Sequence, residues 1–202
     1  MNDSAESIVY SKNVVEFVTV ANEYCNFVEN ASGLTNREMV DKSLKLMSLI
    51  YLKASLLPEI KPLFDDEDVE KFVKEEDWKF IHETIASKLG KNDAYLELVE
   101  SQGYESEEIV RLSIGEQMAD VYQDIKDFIT LYRLGSYRNM VESIRECKIS
   151  YEEYWGTKLL SAQKALHFLK NSKTSTVFDD DIEEVIDDDF ITDNSQEWSN
   201  NE

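Results

Sequence analysis

With 202 residues but only 6 glycines and 2 prolines, the chain is too poor in turn formers for an all-β domain and long enough to bury one core without staples. Its formal net charge of −21 and pI of about 4.4 repel phosphate backbones and anionic bilayers, so neither nucleic acid nor a membrane surface is an expected ligand. A basic partner, a cation or plain solubility suits that charge. Two cysteines, Cys25 and Cys147, make no disulfide framework and point to a reducing cytosol. Met1–Ser7 is polar and acidic, without the basic and apolar regions of a signal peptide. The longest apolar stretch, 46–57, is broken by Ser48, Lys53 and Ser55 and is too short to span a bilayer. The expected compartment is therefore the cytoplasm.

The elements follow in chain order. A first helix is predicted over about 11–30, where Val14, Val15, Val18, Ala21, Cys25 and Val28 recur at helical steps before Asn30, Ser32 and Gly33 break it. Thr35, with Glu38 three residues on, has the spacing of a capping box and opens a second helix. That helix carries Met39, Leu44, Leu46, Met47, Ile50, Tyr51, Ala54 and Leu57, is apolar on more than one side, and so reads as central; Pro58 ends it. A connection follows, with a short helical turn near 66–73. A third helix over about 75–89 buries Trp78, Ile81, Ile85 and Leu89 and stops at Gly90. The segment 93–100, bearing Tyr95, Leu96 and Val99, reads as a short helical piece interrupted at Gly103.

Ser106, followed by Glu107 and Glu108, reads as the N-cap of a long helix reaching Leu134. Its seam is Val110, Ile114, Met118, Val121, Ile125, Phe128 and Tyr132. Gly135 stops it and Ser136 caps the last helix, about 138–169, which buries Met140, Ile144, Cys147, Tyr151, Tyr154, Leu159, Ala162, Leu166 and Leu169. Gly156 inside that helix implies a kink or, as the flanking aromatics favour, close approach of a neighbouring helix. From Asn171 the composition turns acidic, and the segment carries roughly half of the net negative charge. Such a stretch cannot bury enough apolar surface to offset its ordering entropy. The expected organisation is an all-α bundle of about five main helices over 1–170, with a disordered acidic tail over 171–202.

Four stretches resemble an uncharacterised bacterial family, a domain of unknown function (DUF5063). They are Val15-Glu16-Phe17-Val18-Thr19-Val20-Ala21, Tyr51-Leu52-Lys53-Ala54-Ser55-Leu56-Leu57-Pro58, the run from Ala119-Asp120-Val121-Tyr122 to Phe128, and Tyr154-Trp155-Gly156-Thr157-Lys158-Leu159 with Ala165-Leu166-His167. The resemblance spans nearly all of the expected folded part and implies an all-helical cytosolic protein, with no activity attached. One departure is Lys74, where the family pattern has Thr before Glu75-Glu76; it removes an N-cap from the third helix.

Most chemical templates fail. Lys79 and Lys164 stand where a ferritin-like site would need glutamates three residues before His82 and His167. There is no Cys-x-x-Cys, no zinc cluster and no Gly-rich phosphate loop. One acidic ladder remains: Glu116, Asp120, Asp124 and Asp127 share a helix face, which is a candidate Mg²⁺ site of a phosphohydrolase if a second acidic helix faces it. Glu38 with Asp41, or Glu152 with Glu153, are the nearest candidates for that helix. The simpler reading is a solvated face. A second cluster, Tyr151, Tyr154, Trp155, Gly156, Lys158 and His167, with Tyr122 on the preceding helix, is a candidate pocket or contact; the simpler reading is core packing. Cys25 and Cys147 read as small core residues, and His167 as a structural histidine. In the tail, Phe190, Ile191 and Trp198 punctuate the acidic run and could dock on a basic groove or simply accompany a solubilising segment. The leading expectation is a non-enzymatic interaction or regulatory module whose partner is another protein, with no cofactor.

Overall fold

The structure, a computed structural model, describes residues 8–62, 70–100 and 107–172. In chain order these hold α1 (Lys12–Glu29), α2 (Asn36–Ser55), α3 (Glu75–Leu89), β1 (Ala94–Glu100), β2 (Glu107–Ser113), α4 (Ile114–Arg133), α5 (Tyr137–Ser150), a π-helical turn (Tyr151–Trp155) and α6 (Gly156–Asn171). The acidic tail beyond Ser172, the expected cap Ser106 and most of the helical turn near 66–73 lie outside the described residues; 70–74 is not helical. Because α5, the π turn and α6 run on as one rod, five main helices build the bundle, as the periodicity predicts.

Local signals set most of the boundaries. The Thr35 capping box forms: the Glu38 N–H donates to Thr35 Oγ1 at 3.2 Å, and the Thr35 N–H donates to Glu38 Oε2 at 3.0 Å. Ser136 Oγ accepts from the Asn139 N–H at 3.1 Å and starts α5. At Lys74 the missing cap is half replaced, since its N–H donates to Asp77 Oδ2 at 3.1 Å, and α3 still begins at Glu75. Gly90 and Gly135, at φ 54° and 75°, end α3 and α4 in backbone conformations that side chains resist.

Two expectations change. The segments around 93–100 and 107–113 are not helical; they form an antiparallel hairpin in register from Ala94↔Ser113 to Glu100↔Glu107. Val110 and Ile114 are four apart and fit a helix, but 107–113 is extended and the helix begins only at Ile114. Asp93 decides where. Its Oδ1 accepts from the Gly115 N–H at 2.7 Å, its Oδ2 from Ser113 Oγ at 2.6 Å, and its carbonyl from the Ile114 N–H at 2.9 Å. A carboxylate is favoured at a helix N-terminus, and Ser113, accepting from the Glu116 N–H, is the cap in place of Ser106.

The central helix is α4, not α2. It packs on α1, α3, α5 and α6 and buries Ile114, Met118, Val121, Ile125 and Phe128. Phe17 of α1 meets Phe128 with ring centroids 5.1 Å apart, and the buried Tyr24 hydroxyl donates to the Met118 carbonyl at 2.9 Å. α2 packs on α1 and α6, and its second apolar side, Leu49, Leu52 and Leu56, stays exposed. Cys25 and Cys147 are free, buried thiols. Burial pushes Cys25 up to about 12 and Cys147 well up as well.

The close helix approach occurs at Gly115 rather than Gly156. A methyl group on Gly115 would sit 2.9 Å from the His82 carbonyl oxygen and 3.1 Å from the Ala86 nitrogen, both α3 backbone. Gly156 is crowded by its own rod: its N–H donates to the Tyr151 carbonyl across the π turn, and a Cβ would strike that oxygen. Gly115→Ala is expected to destabilise the protein by about 1–3 kcal/mol through overpacking against rigid backbone. Gly33→Ala, with nothing within 4 Å, serves as the control and should leave the urea midpoint nearly unchanged.

Candidate functional site

Because α4 is enclosed, Asp120, Asp124 and Asp127 of its acidic ladder lie against α3, α5 and α6 and the chain before α3 instead of facing water. Asp120 Oδ1 accepts from the Trp78 indole N–H at 2.8 Å, and its Oδ2 from Lys158 Nζ at 2.5 Å and the Tyr154 hydroxyl at 3.3 Å. Lys158 also stands 4.6 Å above the Tyr154 ring. Burial alone would lower the Lys158 pKa, but the bond to Asp120 and its charge outweigh burial and raise it. Asp124 Oδ1 accepts from Ser150 Oγ at 2.8 Å; burial raises its carboxyl above the usual range, with Asp127 and Asp120 adding to the effect against Ser150 and Lys71. Asp127 Oδ1 accepts from the backbone N–H groups of Phe72 and Val73 at 2.7 and 2.9 Å. Its buried Oδ2 has Lys71 at 4.0 Å and no hydrogen-bond partner among the described residues.

These carboxylates thus tie different elements to α4: Asp120 holds α3 and α6, Asp124 holds the end of α5, and Asp127 holds the chain before α3. Glu116 stays exposed in the first turn. Of the proposed second acidic helices, Asp41 pairs with Lys170 at 2.5 Å and Glu152 with Lys148 at 2.9 Å. Among the described residues no group of three or more His, Cys, Asp or Glu is placed to hold a metal ion.

The aromatic cluster divides. Tyr154 and Lys158 meet on Asp120. Trp155 is wholly buried, packs on Tyr151 at 5.0 Å, and leaves its indole N–H without an acceptor among the described residues. His167 is exposed on α6, its ring 6.2 Å from that of Phe168. Tyr122 points elsewhere: its hydroxyl donates to Glu29 Oε1 at 2.9 Å, beside a Lys126 contact to the same oxygen at 2.6 Å. It lines a cleft of about 410 Å³ with Phe72, Phe80 and Asp77.

A further concavity was not visible in the residue types. It is an open groove of about 570 Å³ between the hairpin and α6. Val99, Val110 and Leu112 line the hairpin side, and Leu160 and Lys164 the helix side. The base of the hairpin is pinned to α6 through Ser161, which hydrogen-bonds both the Tyr95 hydroxyl and the Glu97 carboxylate, while Lys164 reaches Glu97 at 3.6 Å. On the opposite face Leu96, Leu98 and Ile109 are 71%, 56% and 66% exposed. Residues 95–99, Tyr-Leu-Glu-Leu-Val, are a short apolar run with a single polar position, and periodicity does not separate strand from helix in such a run.

Residues 8–172 match the family described as Domain of unknown function (DUF5063). The chain belongs to that family. A crystal structure of a Bacteroides fragilis protein from the Northeast Structural Genomics Consortium is 39% identical, with a TM-score of 0.73, over 82% of this chain and 96% of that one. No curated protein matches. This DUF5063 member thus shares its helical architecture with a solved relative, and no described helix is long and apolar enough to cross a membrane.

Two tests address the buried carboxylates. Asp127→Ala strands two backbone donors and should cost about 3 kcal/mol, two charge-assisted bonds at about 1.5 kcal/mol each; Asp127→Asn, which keeps one acceptor oxygen, should cost less in the same urea titration. Asp124 titrates higher in the fold than its ordinary 3.8, so its ionisation opposes folding. The penalty is absent below the unfolded value and grows as pH rises through the folded one. Asp124→Asn should therefore gain stability relative to wild type between about pH 4 and about pH 7, read from urea midpoints at each pH.

Proposed function

We propose that this DUF5063 chain is a non-enzymatic protein-interaction module that takes an extended apolar segment with acidic flanks in the groove between the hairpin and α6. The observation that carries this reading is the groove's lining. Val99, Val110 and Leu112 face Leu160, with Lys164 63% exposed at the rim. A two-stranded hairpin also has unpaired edges, which can receive a further strand through main-chain hydrogen bonds while the apolar wall takes alternate side chains. In the alternative reading, a Mg²⁺-dependent phosphohydrolase, a metal on Asp120 would have to displace Lys158, held at 2.5 Å.

The test uses three fluorescent decapeptides with one apolar centre and acidic, serine or lysine flanks, followed by polarisation with the full chain. The acidic-flanked peptide should bind at least about tenfold more tightly than the lysine-flanked one, a difference of about 1.4 kcal/mol. Lys164→Glu should remove that preference. Equal or reversed selectivity, or an unchanged preference in Lys164→Glu, would refute the reading.

A further inference from the structure

We infer that the groove's resident occupant is this chain's own acidic segment, Val177–Asp181, seated against α6 in competition with a partner. The inference rests on the groove reading above and deepens it by naming the segment.

Charge is the first support. In a chain of net charge −21, the stretch from Gly156 to Asn171 contains Lys158, Lys164 and Lys170 and no Asp or Glu. Lys158 is held by Asp120 at 2.5 Å and Lys170 by Asp41 at 2.5 Å. Lys164 is the loosely engaged one, 3.6 Å from Glu97 and 63% exposed. It lies at the groove, where it can meet a carboxylate without breaking a short ion pair. Asp179, Asp180 and Asp181 follow directly on the apolar pair Val177-Phe178.

Reach is the second support. Ser172 is eight positions after Lys164, about 12 Å along a helix at about 1.5 Å per residue. The four residues Lys173–Thr176, extended, cover about 13 Å at about 3.3 Å each. A chain that turns back along α6 therefore brings Val177 and Phe178 level with Lys164 and Leu160, and the three aspartates next to them. The surface along that path is apolar where Val177 and Phe178 would lie: Leu160 and Phe168 are exposed on α6, and Val110 and Leu112 form the opposite wall. A tether this short holds its segment at an effective concentration of about millimolar, so weak intrinsic affinity suffices.

The first experiment places a nitroxide on Thr176→Cys in the full chain. The native thiols Cys25 and Cys147 are only 2% and 4% exposed, so labelling is selective. At low salt the amide signals of Val110, Leu112, Leu160 and Lys164 should lose most of their intensity, independently of protein concentration, and recover in Lys164→Glu. No loss at those amides overturns the inference. So does a loss seen only when labelled chain is mixed with unlabelled ¹⁵N chain, which would make a second copy the occupant. The second experiment compares the acidic-flanked decapeptide on wild type and on the Val177→Ser, Phe178→Ser double variant. Removing the internal competitor should tighten peptide binding about tenfold. Equal affinity in both overturns self-occupancy while leaving the groove's function standing; binding to neither refutes the groove reading itself.

Discussion

A helix packed against four others cannot leave its covered charges without partners, and this condition on α4 organises the rest of the molecule. An uncompensated carboxylate in the interior costs several kcal/mol, so each acid on the covered part of α4 must meet a donor. Asp120 meets an indole, an ammonium and a phenol; Asp124 meets a hydroxyl; Asp127 meets two backbone amides. Those donors come from α3, α6, the π-helical turn, the end of α5 and the chain before α3. The same bonds that satisfy the charges therefore fix how the neighbouring elements sit. Gly115 completes the arrangement by letting the α3 backbone come within contact of α4.

The groove is a consequence of the same helix. Asp93 binds the first turn of α4 and closes the base of the hairpin, so β1 and β2 must project from that end of the bundle. A lone two-stranded hairpin is marginal in water and needs something to lie against. Tyr95 and Glu97 supply it by bonding Ser161 on α6. Val110, paired with the pinned Glu97, and Val99, two residues beyond Glu97 toward the turn, line the open groove. The outward face keeps Leu96, Leu98 and Ile109 in solvent. Asp120, Asp124 and Asp127 are engaged in holding the fold, whereas the apolar surface and strand edges of the hairpin stay open, and the proposed binding role rests on that contrast.

What the sequence determined by itself was local. The capping box at Thr35, the cap at Ser136, the glycines at 90 and 135 and the stripes Ile81–Ile85–Leu89 and Met118–Val121–Ile125 depend on residues three or four apart, and such signals survive without a partner element. Membership of the DUF5063 family was likewise legible in contiguous stretches such as Tyr154–Leu159. What failed locally was the short apolar run at 93–100, because Tyr95 and Val99, four apart, satisfy a helical step as readily as they share one face of a strand, and only pairing with β2 separates the two.

Tertiary structure decided everything that depends on which face of a helix is covered. The acids of α4 read as a solvated face because spacing reports that they share a side, not what lies on it; Trp78, Ser150 and Lys158, 26 to 42 residues away, were needed to supply the cover. Tyr122 and Tyr154 read as one pocket and lie in two places, since one hydroxyl goes to Glu29 and the other to Asp120. Gly156 announced a close approach, and the neighbour proved to be its own carbonyl five residues back. The groove has no sequence signature at all, because its two walls are 45 or more residues apart in the chain and meet through the contacts of Ser161 and Lys164 with β1. Periodicity encodes the faces of single elements, but the pairing of faces is set by the global packing of the core.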